Sequence, residues 1–119
     1  MSPEKARVFV VEDNERFQKI IIKRLKKAGH SVVATATTLD QALAMVDQLE
    51  QLGVGVAVLD GNLSDYDVSG NDGREILKAI QKKDPNVITV GMSLDDFEGT
   101  DVDLGKDNVG NLGEVVKSL

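Results

Sequence analysis

Three carboxylates stand where two apolar runs end. Val8-Phe9-Val10-Val11 stops at Glu12-Asp13, and Val54-Gly55-Val56-Ala57-Val58-Leu59 stops at Asp60. Short valine-rich runs bounded by polar residues read as buried strands of a parallel sheet. In such sheets the ligand crevice lies beyond the carboxyl ends of the strands, where the strand order reverses. If these two strands are neighbours, Glu12, Asp13 and Asp60 meet in one place. Apposed carboxylates repel, so the cluster requires either a divalent cation or a shared proton. The pattern points to a site for a hard, oxygen-seeking metal.

The composition narrows the setting. At 119 residues, with 41% hydrophobic and 29% charged side chains, the chain reads as one globular domain spanning residues 1–119. It has no cysteine, so disulfides, thiolate metal sites and cysteine nucleophiles are excluded. A formal charge of −6 argues against nucleic-acid binding, which calls for a basic face. No apolar stretch approaches the ~18 residues of a membrane span. Met1-Ser2-Pro3-Glu4-Lys5 leads straight into the first strand, so no signal peptide is expected and the location expected is cytoplasmic.

The elements that must position the acids alternate between two periods. Strand one runs from Arg7 to Val11. Phe17, Ile20, Ile21, Leu25 and Ala28 then recur at helical spacing, with Gly29 as the stop. Strand two is Ser31 to Ala36, and Thr38-Leu39-Asp40-Gln41 has the form of a capping box opening a second helix. Strand three covers Gly55 to Leu59. A long polar loop precedes a third helix from Gly73 to Lys83, ended by Asp84-Pro85. Val87 to Met92 is strand four and Asp101 to Leu104 a weaker strand five. Val109, Leu112, Val116 and Leu119 outline a last helix, which Gly110 and Gly113 weaken by about 1 kcal/mol each. This order gives an α/β fold with a doubly wound parallel sheet.

Over nearly its whole length the chain resembles a response-regulator receiver domain. Such domains carry an acidic pair after strand one, a phosphoacceptor aspartate after strand three, Ser or Thr after strand four and Lys after strand five. Here those positions are Glu12-Asp13, Asp60, Ser93 and Lys106. The resemblance implies a flavodoxin-like strand order 2-1-3-4-5 and transfer of a phosphoryl group from a phosphohistidine to Asp60. It also implies Mg²⁺ bound by Asp13, Asp60 and the Asn62 carbonyl, with Glu12 acting through water. Lys106 and Ser93 would contact the phosphoryl oxygens. The implied partner is a sensor histidine kinase or a histidine phosphotransfer protein. The role is that of a signalling phosphoacceptor in a two-component phosphorelay, with only self-catalysed phosphotransfer and dephosphorylation, so no enzyme in the usual sense. Nothing follows Leu119 in this sequence, so an output domain is expected on another chain or in a part of the protein outside it.

Several residues depart from the pattern. Gly61 to Gly73 is a long loop with Ser64 where Pro is usual. Only Leu94 to Thr100 remain to cross from strand four to strand five, whereas a parallel crossover normally takes a dozen or more residues. The fourth helix is therefore expected to be missing or reduced to one turn. Leu94 and Asp103 replace a small residue and an aromatic one. They motivate an alternative reading, a pseudo-receiver that binds partners without switching on phosphorylation. A lost helix would also uncover Val87, Ile88, Val90, Met92, Val102 and Leu104, either for the long loop after Asp60 to fold over or for a protein partner, the favoured case, of which a symmetric homodimer is one form. Arg16, Lys19, Lys23, Arg24, Lys26 and Lys27 give the first helix a basic face suited to an acidic phosphotransfer partner. His30 is expected to be a polar surface residue.

Overall fold

The structure is a computed structural model that describes residues 6–60, 71–92 and 99–119. Five strands form a parallel sheet: β1 (Arg7–Val11), β2 (Ser31–Ala36), β3 (Val56–Leu59), β4 (Ile88–Gly91) and β5 (Val102–Asp103). Their order is β2-β1-β3-β4-β5, as the resemblance implies. The helices are α1 (Glu15–Lys27), α2 (Leu39–Val46), α3 (Asn71–Lys83) and α4 (Leu112–Lys117), the last preceded by a 3₁₀ segment at Lys106–Asn111. The crossover segment 93–98, which includes the expected fourth-helix remnant, lies outside the described residues, as does the loop 61–70.

The side chains of β1 and β3 explain why both sheet faces are covered. Phe9, Val11, Ala57 and Leu59 point to one side, where Ala42, Val46, Leu49, Ile76 and Ile80 of the α2–α3 layer meet them. Val8, Val10, Val56 and Val58 point to the other and pack on Ile21, Leu25, Leu112 and Val116. Strands buried on both faces need the continuous apolar runs seen in the sequence.

Local chemistry fixes the helix ends. Asn14 caps α1, its Oδ1 accepting from the Phe17 N–H at 3.0 Å. At the other end Gly29 takes φ +92°, and the His30 N–H closes the turn on the Leu25 carbonyl at 3.0 Å. Thr38 caps α2 through the Gln41 N–H at 3.2 Å. Gln41 reaches back one residue further than a strict capping box, its Oε1 accepting from the Thr37 N–H at 2.9 Å.

Three expectations change. His30 is buried, at 4% exposure. Its Nδ1 accepts from the Ala6 N–H at 3.0 Å, so Nε2 carries the hydrogen and donates to the Gly113 carbonyl at 3.1 Å. A histidine after a helix stop reads as surface because the sequence does not show which segments converge there. Next, the final helix is broken: Asn108, at φ −105° and ψ 18°, interrupts the 3₁₀ segment, and α-helix begins only at Leu112. Gly113 serves close packing instead, since a Cβ there would lie 2.7 Å from the Ala28 Cβ.

The third change concerns the apolar patch over β4 and β5. Val87, Val90 and Met92 are buried, while Ile88, Val102 and Leu104 pack half-buried against the second cluster. Among the described residues Ile20, at 42%, is the exposed large apolar side chain. On that face the described residues show half-buried rather than fully exposed large apolar side chains.

Candidate metal centre

The carboxylates are delivered by ladder bonds that run one residue past each strand. The Glu12 N–H donates to the Ala36 carbonyl at 3.0 Å, and the Asp60 N–H donates to the Val11 carbonyl at 2.9 Å. Because β1 lies beside β3, these bonds bring Glu12 and Asp60 together at the carboxyl edge. Both are buried, at 0% and 1%, while Asp13 is half-buried. Glu12, Asp13 and Asp60 each place a carboxylate oxygen within 4.8 Å of the others.

Lys106 completes the cluster from the far side. Its approach is set by the Leu104 and Gly105 N–H groups, which both donate to the Gly91 carbonyl at 3.0 and 3.1 Å. Gly105 takes φ +82°, a region open to glycine, and so turns the chain back over the crevice. Lys106 Nζ lies 3.4 Å from Asp60 Oδ1 and 3.5 Å from Glu12 Oε1. The Phe17 ring centroid is 5.4 Å from the same nitrogen.

Charge settles the resting state. Two carboxylates this close repel by about 3–4 kcal/mol at an effective dielectric near 20. Burial adds to that repulsion. Holding a proton on an ordinary glutamate at pH 7 costs about 3.7 kcal/mol, a comparable amount, so burial tips the balance toward protonation. Burial first, then the neighbouring Asp60 and Asp13, push Glu12 up from 4.5 to about 9, against a lowering contact from the Asn14 backbone. Burial alone would lower Lys106; the adjacent Asp60 and Glu12 outweigh it and hold its pKa above 10.5. Without metal the raised Glu12 pKa favours its protonated form, and Lys106 stays a cation beside Asp60.

The donor set suits a small hard cation. An octahedral ion with ligands at about 2.1 Å spans at most about 4.2 Å between two of them. Carboxylate oxygens that all lie within 4.8 Å of one another could take part in such a shell. Glu12 Oε1 is buried and makes no hydrogen bond among the described residues, its contact with Lys106 Nζ being 3.5 Å long.

The structure thus brings together Glu12, Asp13, Asp60 and Lys106. Ser93 and Asn62 lie outside the described residues. Phe17 escaped the sequence reading, because an aromatic at helical apolar spacing signals core. Asp101 escaped it too. Its Oδ2 accepts from the Thr89 N–H at 2.8 Å and from the Thr89 hydroxyl at 3.2 Å, and the Thr89 Oγ1 accepts from the Asp101 N–H at 3.0 Å. Among the described residues no helix is long and apolar enough to cross a membrane.

A family model for the response regulator receiver domain matches residues 8–102, a span that holds the three acids and ends before Lys106. A CheY-like response regulator receiver domain protein from Methanospirillum hungatei JF-1 superposes with a TM-score of 0.77 at 21% identity, covering 95% of this chain and 91% of that one. The phosphorylated cyanobacterial phytochrome response regulator RcpA gives 0.70 at 24% identity, with 96% and 90% covered. The CheX-CheY-BeF3-Mg complex from Borrelia burgdorferi gives 0.66 at 19% identity, with 78% of this chain and 65% of that chain covered. At these identities the likeness to the solved structures is one of fold. No curated protein sequence matches the chain.

Proposed function

The chain belongs to the response regulator receiver domain family, and on that basis we propose that Asp60 accepts a phosphoryl group from a phosphohistidine in a two-component phosphorelay. One observation carries this reading. Asp60 is a buried carboxyl paired with Lys106 at 3.4 Å, and burial together with Asp60 itself raises the pKa of the adjacent Glu12. A charged, partly desolvated oxygen at the floor of a crevice is a competent nucleophile.

Asp13 and Asp60 would bind Mg²⁺ directly and Glu12 through water, with the Asn62 carbonyl as a further ligand. The ion supplies neutralisation of charge on the phosphoryl oxygens. Asp60 attacks phosphorus in line, forming a P–O bond as the P–N bond breaks. The electron pair leaves with the imidazole, which takes its proton from solvent. Lys106, freed from part of its pairing with Asp60, turns an N–H toward a phosphoryl oxygen, and Ser93 would donate to another. That contact would carry the switch to protein partners. The histidine-bearing partner would dock on the exposed basic face of α1, where Lys19, Ile22, Lys23, Lys26 and Lys27 line a hollow of about 650 Å³ beside exposed Ile20.

Intact mass after incubation with acetyl phosphate, with and without Mg²⁺, tests the proposal. The expected result is a single added phosphoryl group that requires Mg²⁺ and is lost on hydroxylamine treatment. An unlabelled wild type would favour the pseudo-receiver that binds partners without phosphorylation.

A further inference from the structure

We propose that Phe17 is a positioning residue for Lys106, holding its ammonium over the crevice while its N–H groups change partners. The inference rests on Lys106 serving the phosphoryl group as proposed above. Lysine has a flexible stem with roughly 2 kcal/mol of rotamer entropy, and its head is a point charge with no preferred plane. Here it follows a strand of two residues and a turn at Gly105. Its contacts with Asp60 and Glu12, at 3.4 and 3.5 Å, are longer than the roughly 2.7–2.9 Å of a tight charge-assisted hydrogen bond. Ion pairing alone holds the head loosely.

The Phe17 ring supplies a further contact, at 5.4 Å, inside the ~6 Å range over which a ring face attracts a cation. At 23% side-chain exposure Lys106 is largely desolvated, which strengthens that attraction. The ring is itself anchored to the acid side of the site. The Phe17 N–H donates to Asn14 Oδ1 at 3.0 Å, and the Asn14 N–H donates to Glu12 Oε2 at 3.2 Å. The ring also packs on the second core cluster.

A ring face fits the task because it attracts the charge whichever way the ammonium rotates about its last bond. With Asp60 unphosphorylated, the ammonium faces Asp60 Oδ1 and Glu12 Oε1. When Asp60 carries phosphoryl, one N–H must turn to a phosphoryl oxygen. The ring remains satisfied through that turn and keeps the head from swinging into solvent. Leucine would fill similar space without attracting the charge, whereas tryptophan would attract it more strongly.

The test has two arms. In metal-free protein with lysine ¹³C-labelled at Cε, the Lys106 methylene, assigned by its loss in Lys106→Gln, should show an upfield ring-current shift that disappears in Phe17→Leu. In the presence of Mg²⁺, Phe17→Leu should slow acetyl phosphate labelling about fivefold, the size of a partly desolvated cation–π contact. Phe17→Trp should restore the rate. In the Lys106→Gln background, Phe17→Leu should cause no further loss. Wild-type labelling by Phe17→Leu, a Trp variant as slow as the Leu variant, or an equal loss without Lys106 would each overturn the proposal. A wild type that shows the ring-current shift but takes no label would instead overturn the phosphoacceptor reading and leave the contact standing. A missing shift overturns the contact whatever the labelling.

Discussion

The acid side of the crevice and its lysine side are held by different means. Glu12 and Asp60 extend strands that are paired along their length, β1 to β2 and β3, and β3 to β1 and β4. Lys106 hangs from β5, an edge strand whose ladder joins only Val90 to Val102 and Gly91 to Asp103. There side chains replace missing backbone. Asp101 occupies Thr89, the Gln81 amide donates to the Gly99 carbonyl at 3.0 Å, and Phe17 flanks the ammonium. The difference teaches that charge on this crevice floor is fixed by the sheet, whereas the group that answers it is fixed by replaceable side-chain contacts. A residue that must change partners is better served by the second arrangement.

The most severe break is Asp60→Asn. It keeps the shape and removes the nucleophile, so Mg²⁺-dependent labelling should fall to background while the fold persists. Its metal-free melting temperature should change little, because the variant loses repulsion from Glu12 and Asp13 but also loses the pairing with Lys106. Mass spectrometry and a thermal melt check both, and labelling at the wild-type level would move the acceptor elsewhere.

The proton on Glu12 separates the sides next. Its pKa is raised from 4.5 to about 9 in the metal-free fold, so the folded state holds a proton that the unfolded state releases across that window. The associated stability is fully present below about pH 4.5 and is lost as pH climbs toward 9. Lys106 is also raised, from 10.5, so its contribution has the same sense but is lost only above that value. Mg²⁺ competes with the Glu12 proton, so its apparent affinity should rise up to roughly tenfold per pH unit between pH 6 and 8. Calorimetry in buffers of different ionisation enthalpy should detect the released proton. Glu12→Gln should flatten the pH dependence; an equally steep profile in that variant would assign the proton to another group.

A smaller effect is expected at the edge. Asp101→Ala leaves the buried Thr89 N–H without its acceptor, which should cost about 1–3 kcal/mol and lower the melting temperature by several degrees. Labelling should slow as well, since β5 carries Lys106 into place. A variant with wild-type stability would mean that the edge does not depend on this side chain. The weakest expectation is a control distant from both sides. Lys83 and Asp47 pair at 3.4 Å between α3 and the end of α2, at 61% and 73% exposure. Asp47→Ala should leave melting and labelling unchanged, as exposed pairs rarely contribute measurably.

The contrast also explains what was legible in the sequence. The sheet order followed from the receiver resemblance, and the strands themselves from apolar runs such as Val8–Val11, whose burial on both faces leaves no alternation to misread. Glu12, Asp13 and Asp60 were visible because strand ends concentrate such groups. Lys106 was identified by its place after strand five, although its surroundings were not. Phe17, Asp101 and His30 act across contacts distant in sequence, and spacing along a helix or turn says nothing of them. Strand limits shifted by a residue or so, since Val87 and Met92 flank β4 and Asp101 and Leu104 flank β5. The last helix was overextended because its apolar spacing continues through Asn108 and Gly110, where the backbone departs from α geometry.

The His30 bridge bears on how the molecule opens. A helix of six residues such as α4 is far too short to persist by itself. It is held by Leu112 and Val116 in the core, by Gly113 against Ala28, and by the imidazole that joins Gly113 to the amide of Ala6. Loss of α4 therefore also removes a ligand from the imidazole that shields the entry to β1. Amide exchange at Ala6 should then follow the same opening event as exchange in the last helix, although 107 positions separate Ala6 from Gly113. The two distant segments behave as one cooperative unit, and slow hydrogen exchange at the start of the first strand becomes a readout of whether the last helix is docked.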